Sequence, residues 1–245
     1  MDKAEILERI AGGRTDLVFA LLQLTDWRAI LNTAPASPLA WFVYYNDVTA
    51  LKAVLAAGGD LSAFDLDHEL SNAAFFGHWK VCDFLLTQGA NAAHANPATG
   101  ETPLHNAVSR AGRPDFIYVV RLLLEHGADP NARTIPDRET AAFMRDVRTK
   151  GETPLHRAAA YCDRAVIQAL IELGGDPTLR DANGDTPLSW ASWHQRPGTV
   201  LTLLQHGPHR IGDAHVEALS SDHGAGWGAG MGWALLGDYL PESKP

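Results

Sequence analysis

The chain has 245 residues, of which 46% are hydrophobic and 20% are charged, a composition typical of globular proteins and too apolar for intrinsic disorder. Its formal net charge is −9, from 29 acidic and 20 basic side chains. An acidic chain repels phosphate, which argues against general nucleic-acid binding and against docking to an anionic membrane. The N-terminus lacks the cationic start of a signal peptide, and the longest early apolar run, residues 17–22, is far short of the roughly 20 residues that span a bilayer. A soluble, cytoplasmic protein is predicted.

A repeated tetrapeptide organises the chain. Thr-Pro-Leu-His begins at Thr102 and at Thr153, and Thr-Pro-Leu-Ser begins at Thr186. Each is followed by an apolar helix pattern, a second apolar stretch and a closing Gly. Counting back 23 positions from the Asp or Asn that closes the earlier units recovers two degenerate starts. The five starts at 37, 68, 102, 153 and 186 are spaced by 31, 34, 51 and 33 residues, so three of four spacings lie near 33.

Each unit has the local chemistry of two helices joined by a turn. The starting Thr or Ser is predicted to cap the first helix, because its hydroxyl accepts an orphan backbone N–H, and the Pro that follows loses no hydrogen bond there. His105 and His156 are predicted to hydrogen-bond beside the starting Thr. Gly127 and Gly174 are predicted to end the second helix in the left-handed conformation. Neither helix buries its apolar side alone, so the units must stack.

These features closely resemble the ankyrin-repeat family, whose Thr-Pro-Leu-His-x-Ala signature recurs here at the right period. The resemblance covers about residues 37–210 and, more weakly, residues 13–22, which look like the second helix of a capping repeat. It implies an all-α solenoid of helix-turn-helix units with β-turn fingers, about five repeats behind an N-terminal cap. The predicted organisation is capping helices over 1–36, repeats over 37–210, and a C-terminal cap with a Gly/Trp-rich tail over 211–245.

The interval of 51 residues exceeds 33 by 18, of which four fall near residues 111–114 and 14 in a long finger over 134–151. The finger is mildly basic and also carries two large apolar residues. These side chains are Arg138, Arg145, Arg148, Lys150, Phe143 and Met144. The insertion is either a surface loop of little entropic cost or a contact arm held by a rigid scaffold.

The tail contains Trp227, Trp233 and Tyr239 in a segment whose Gly content is too high for a stable helix. It is either a disordered end or a segment that folds back onto the repeats and regulates their binding face.

The resemblance also implies where a partner binds. In ankyrin proteins the finger tips and the exposed side of the first helix line a concave surface. The fourth, seventh and eighth residues after each start carry over to that surface. They are Trp41, Tyr44, Tyr45, Asn72, Phe75, Phe76, Asn106, Ser109, Arg110, Arg157, Ala160, Tyr161, Trp190, Trp193 and His194. Eight of these fifteen are aromatic, against 8% of the whole chain.

Aromatic residues and Arg are enriched at binding hot spots, so this surface is predicted to be a groove with aromatic ends and a centre containing Arg110 and Arg157. Glu101, Glu152 and Asp185 are predicted at its rim, and Arg148 of the finger beside it. The alternative is that these aromatic side chains pack against one another, the insertions or the tail.

The sequence predicts two alternative functions. The first is a non-catalytic scaffold that binds a protein or peptide without a cofactor, and self-association is a further possibility. The second is a small-molecule-binding protein or unconventional enzyme. Its pocket, around Arg110, Arg157 and Tyr161, would hold a small anionic ligand beneath the finger and tail, and His194 or Glu152 would move protons.

Metal and thiol chemistry are not expected. His206, His209 and His215 lack both a Cys partner and the i, i+4 spacing of a helical zinc site. Cys82 is predicted to be buried and Cys162 more exposed, two repeats apart and too distant for a disulfide.

Overall fold

The computed structural model describes residues 1–31, 37–61, 64–110, 115–140 and 148–206, and every regular element in these ranges is a helix. The all-α prediction is confirmed. The predicted tail, residues 211–245, and the finger residues Phe143, Met144 and Arg145 lie outside the described residues.

The described helices follow one another in pairs after an N-terminal group. That group is α1 (Lys3–Ala11), a 3₁₀ turn (Thr15–Leu17), α2 (Val18–Leu21) and α3 (Trp27–Leu31). The pairs are α4 (Pro38–Tyr44) with α5 (Val48–Ala56), α6 (Leu66–Phe76) with α7 (Trp79–Thr87), α8 (Pro103–Ala107) with α9 (Phe116–Glu125), α10 (Pro154–Tyr161) with α11 (Arg164–Glu172), and α12 (Pro187–Trp193) with α13 (Gly198–His206).

The chain divides into two compact units. The first comprises Met1–Ala107 and Arg113–Asp129 and contains helices α1 to α9. The second comprises Val108–Gly112 and Pro130–Pro245 and contains helices α10 to α13. The predicted division at residues 36 and 210 is a different one and remains a prediction.

Within the first unit, equivalent helices stack on one another. Helix α4 packs on α6 and α6 on α8, while α5 packs on α7 and α7 on α9. The N-terminal group continues the pattern, because α1 packs on α4 and α2 on α5. Phe42, Leu51, Leu70 and Leu85 are completely buried between these helices. Each apolar stripe is therefore covered by the neighbouring pair, as repeat stacking requires.

The second unit uses the same arrangement. Helix α10 packs on α11 and α12, and α13 packs on α11 and α12. Leu155, Ile167 and Leu203 form its completely buried core.

The predicted role of the signature histidines is confirmed. The Thr153 N–H donates to Nδ1 of His156 at 3.2 Å, and Nε2–H of His156 donates to the carbonyl of Asp185 at 3.0 Å. That tautomer follows because a carbonyl oxygen only accepts. Thr102 and His105 pair in the same way, also at 3.2 Å. Each histidine thus steadies the first turn of its helix.

Helix α6 begins earlier than the degenerate start at His68. Asp65 is its N-cap, and the Asp65 carboxylate accepts a hydrogen bond from the His68 N–H at 3.0 Å. Asp caps a helix as well as Ser or Thr does, so a repeat without the Thr-Pro pair still has a defined start. The helix ends at Gly77, which is left-handed with φ of 76° and lies against the ring of Phe116. Gly127 and Gly174, at φ of 88° and 105°, confirm the predicted glycine ends.

The long finger is an elongated version of the ordinary turn. In the short finger, the Asp181 N–H donates to the carbonyl of Asp185 at 2.8 Å. In the long finger, the Thr134 N–H donates to the carbonyl of Glu152 at 3.1 Å across 18 positions. Reciprocal backbone contacts between residues 137–138 and Thr149 continue the pairing, up to the isolated bridge between residues 139 and 148. The insertion therefore extends from a closed base and leaves the helix pair intact.

Candidate binding surface

Helices α4 and α6 of the first unit present a cluster of aromatic side chains. Ser37 caps α4 and donates to the Leu31 carbonyl at 2.7 Å, and Pro38 occupies the first turn. The aromatic surface, as defined here, consists of Trp41, Tyr44, Tyr45, Phe75 and Phe76. Its members lie at the C-terminal ends of two stacked helices, so their rings meet.

The rings of the aromatic surface pack mainly edge to face, except that Trp41 stacks on Tyr45. The Tyr44 ring centroid lies 5.2 Å from that of Phe76 on the neighbouring helix and 6.0 Å from that of Trp41, both nearly perpendicular. Phe76 also stacks on His78 at 5.5 Å, and His78 hydrogen-bonds through Nδ1 to the Val43 carbonyl at 3.1 Å. Such pairs are worth about 0.5–1.5 kcal/mol beyond their area. The rings are thus held in fixed positions while Tyr44 stays 48% exposed.

A cavity of about 340 Å³ opens on this surface. It is lined by Ser37, Ala40, Trp41, Val43, Tyr44, Glu69, Asn72 and Phe76. Four of these residues, Trp41, Tyr44, Asn72 and Phe76, are predicted binding positions, and the structure brings them together in one concave site.

Glu69 is a site residue that sequence reasoning missed. It is 8% exposed, and its Oε2 accepts a hydrogen bond from Nδ2 of Asn72 at 3.3 Å. Burial raises the pKa of Glu69, and the hydrogen bond from Asn72 offsets this only in part. Glu69, Asn72 and Phe76 follow one another at helical spacing, which was the available signal once the helix is known to start at Leu66.

Tyr45 has a structural role within the same cluster. Its hydroxyl donates to the carbonyl of Ala11 at 2.8 Å, and its ring lies against Gly13, where an added Cβ would sit 3.3 Å from it. Tyr45 therefore fixes the end of α1 to α4, and its ring remains 39% exposed.

The prediction that Arg157 and Glu152 line the binding face is wrong. Arg157 is completely buried in the second unit, and its Nη2 and Nε donate to Oε1 of Glu152 at 2.6 and 2.9 Å. Its Nη1 donates to Oγ of Ser109 at 3.1 Å, and Ser109 is likewise buried. The arginine that was expected to meet a ligand instead neutralises a carboxylate at the base of the long finger.

Further predicted contacts are also buried. Trp190 is 8% exposed, and its indole N–H donates to Oδ2 of Asp181 at 3.0 Å, which fixes the ring inside the second unit. Ala160 and the predicted rim residue Glu101 are buried too. Asn106 is 9% exposed, and its Oδ1 accepts no hydrogen bond from the described residues. These side chains lie under the surface rather than on it.

Five predicted contacts remain at the surface of the second unit, and they are aromatic or basic side chains: Arg110, Arg148, Tyr161, Trp193 and His194. Trp193 is 70% exposed with Nζ of Lys150 5.9 Å from its ring centroid. The rings of Tyr161 and His194 lie edge to face at 4.9 Å. Arg110 and Arg148 are exposed, and Arg148 lies 3.7 Å from Glu139.

Both cysteines are free and buried, so the expected exposure of Cys162 is wrong. Its thiol lies within the second unit, 3.6 Å from the Val108 carbonyl. Burial raises the pKa of each thiol to about 12, which keeps them protonated and unreactive.

Across the residues described by the structure, no cluster of three His, Cys, Asp or Glu side chains is arranged to hold a metal ion. The side chains of His206, His209 and His215 lie outside that part of the chain. The helices in the same ranges include none that is long and apolar enough to cross a membrane.

Comparison with known proteins identifies the repeat. A family model described as the ankyrin repeat matches residues 99–135, and one described as ankyrin repeats in three copies matches residues 135–212. The chain is 30% identical over 156 residues to Rabankyrin-5 of Mus musculus and 34% identical over 124 residues to Ankyrin repeat and SOCS box protein 6 of Homo sapiens. These alignments cover 56% and 50% of this chain, but only 13% and 25% of the relatives' lengths.

Ankyrin repeats generally mediate protein–protein binding and are generally not enzymes. The signature residues cap the helices as the motif requires, the helix pairs stack within each unit, and two family models match consecutive segments. Residues 99–212 of the chain are therefore ankyrin repeats.

Proposed function

We propose that the chain is a non-catalytic module that binds a protein or peptide through the aromatic surface of helices α4 and α6. The observation that carries this proposal is the cavity of about 340 Å³ lined by Trp41, Tyr44 and Phe76. Exposed aromatic clusters are uncommon on monomers unless they bind something, and aromatic side chains in a pocket are frequent hot spots.

The packing of the rings supports binding rather than simple burial. Tyr44 contacts Trp41, Tyr45 and Phe76 within 6.0 Å and still presents 48% of its surface to solvent. A rigid aromatic side chain loses little entropy when a partner covers it, so such a preorganised surface favours affinity.

The small-molecule alternative has less support. It needs Arg157 to face an anionic ligand, but Arg157 is completely buried against Glu152. Glu152 is equally withdrawn and ion-paired, so it is not poised to transfer protons to a bound substrate.

The proposal is tested by selecting binders from a displayed random peptide library on the wild-type protein. The counter-target is a Trp41→Ala/Phe76→Ala variant, and the matched control is Trp79→Ala/Tyr118→Ala. The control removes another exposed aromatic pair of the first unit, whose ring centroids are 6.0 Å apart on α7 and α9.

Peptides that bind the wild type and the control but not the counter-target support the proposal. Peptides that bind all three proteins equally, or a failure to enrich any peptide, contradict it. A reducing, cytoplasmic location is part of the same proposal and is supported by the two buried free thiols.

A further inference from the structure

The cavity on the aromatic surface combines aromatic rings with one acidic group. Trp41, Tyr44 and Phe76 line it together with Glu69, and no Lys or Arg of the described residues is among the lining. A cation is attracted to the faces of aromatic rings and to a carboxylate alike. The composition of the lining is therefore complementary to a positive charge.

Burial disfavours the charged form of Glu69 more than the nearby His68 favours it, and the net effect raises the pKa of Glu69. Glu69 forms no ion pair within the described residues, and the neutral amide of Asn72 is its hydrogen-bond donor. A carboxylate that is 8% exposed without an ion pair is costly, and the raised pKa reflects that cost.

A second acceptor, without a partner in the described part of the chain, lies beneath the surface, on the adjacent helix of this unit. Oδ1 of Asn106, on α8, accepts no hydrogen bond from the described residues, and α8 packs directly on α6. Asn106 does not line the cavity, so Glu69 is the acceptor that a bound donor would reach there, and an apolar or acidic side chain would not satisfy it.

We propose that this cavity receives a basic side chain, arginine or lysine, from the bound peptide, whose charge pairs with Glu69 while its stem packs on Trp41 and Phe76. The inference rests on the proposed function and adds the chemistry of the partner. An apolar anchor would leave Glu69 buried and unpaired, and the acidic chain as a whole, at −9, repels an acidic anchor.

The test uses peptides selected on the wild-type protein that fail to bind Trp41→Ala/Phe76→Ala. Each is resynthesised with its Arg replaced by citrulline or its Lys by acetyl-lysine, which keep the shape and remove the charge. We expect the neutral peptides to bind the wild type about tenfold or more weakly, since a desolvated cation–π contact and a charge pair together exceed about 1.4 kcal/mol.

The Glu69→Gln variant should bind the charged peptide more weakly than the wild type does, by a similar factor. This variant should also bind the charged peptide and its citrulline version with nearly the same affinity. Trp79→Ala is the control and should retain the wild-type preference for charge. Since the citrulline comparison is made on the wild type, the inference stays testable if Glu69→Gln folds poorly, which its thermal melt reports.

Two results overturn the inference. In the first, peptides that require Trp41 and Phe76 bind equally well after their Arg or Lys is replaced by citrulline or acetyl-lysine. That result contradicts the cationic anchor and leaves the proposed binding function intact. In the second, choline or arginine methyl ester displaces the peptides at micromolar concentration. That result assigns the cavity to a free small cation instead of a peptide side chain. A failure to obtain any peptide that depends on Trp41 and Phe76 contradicts the binding function itself.

Discussion

Arg157 and Glu152 form a buried ion pair in which two guanidinium nitrogens converge on one carboxylate oxygen at 2.6 and 2.9 Å. The other oxygen of Glu152 accepts from the Thr134 hydroxyl and the Lys150 N–H, both at 2.6 Å. The pair therefore connects helix α10 to both sides of the long finger at its base. An insertion of 14 residues is accommodated because its two ends are joined by this network.

Removal of Arg157 should destabilise the second unit severely. Arg157→Leu leaves the Glu152 charge buried without a partner, and breaking such a pair costs about 3–5 kcal/mol. Urea denaturation measures the loss. The matched control is Arg148→Leu, because the Arg148–Glu139 pair of the same finger is exposed and worth under about 1 kcal/mol. Equal losses in the two variants would contradict the structural role of Arg157.

The same pair predicts sensitivity to acid. Burial alone would raise the pKa of Glu152, but the charge of Arg157 and hydrogen bonds from Thr134 and Lys150 outweigh it and lower the pKa from 4.5 to about 2. A carboxylate whose pKa is lower in the folded than in the unfolded state stabilises the folded protein. That stabilisation is complete above the pKa of the unfolded state, and it is lost as the pH falls through the pKa of the folded state. The free energy of unfolding should therefore decline between pH 4.5 and about 2 more steeply in the wild type than in Glu152→Gln. Parallel declines in a urea–pH series would refute this prediction.

Trp190 should matter for stability rather than for binding. Trp190→Phe removes the indole N–H that Asp181 accepts from, which leaves a buried acceptor unsatisfied at a cost of roughly 1–3 kcal/mol. Trp193→Phe is the comparison, since that side chain is 70% exposed and its substitution should stay within about 0.5 kcal/mol. Thermal melts of both variants check the difference, and a larger effect at Trp193 would reverse the assignment.

Gly77 should resist substitution. Its φ of 76° is left-handed, which costs a residue with a Cβ roughly 1–2 kcal/mol, and the added Cβ would lie 3.2 Å from the Phe116 ring. Gly127→Ala, at φ of 88° with no atom within 4 Å of the new Cβ, measures the backbone cost alone. We expect Gly77→Ala to lower the free energy of unfolding by more than Gly127→Ala does. A larger loss for Gly127→Ala would show that the Phe116 ring moves aside at no cost in free energy.

The repeat pattern predicted the helices well, but it predicted less well which of their side chains neighbouring segments bury. Register counted from the tetrapeptide placed Trp41, Tyr44 and Phe76 on one face, because helical spacing depends only on sequence distance. It did not reveal that Arg157, at an equivalent position, is covered, since its burial depends on a finger whose length varies independently of the helix. Trp190 and Trp193 show the same limit. They are three residues apart, yet only Trp190 is buried, where its indole N–H donates to Asp181.

The central claim is that a peptide partner binds the aromatic surface of helices α4 and α6. Its most direct test is the affinity of one selected, fluorescently labelled peptide for three proteins, measured by anisotropy. The account predicts that Trp41→Ala weakens binding about thirtyfold, because truncating a hot spot costs about 2 kcal/mol, while Trp79→Ala changes it by less than about twofold. Equal affinity of the peptide for the wild type, Trp41→Ala and Trp79→Ala would contradict the account.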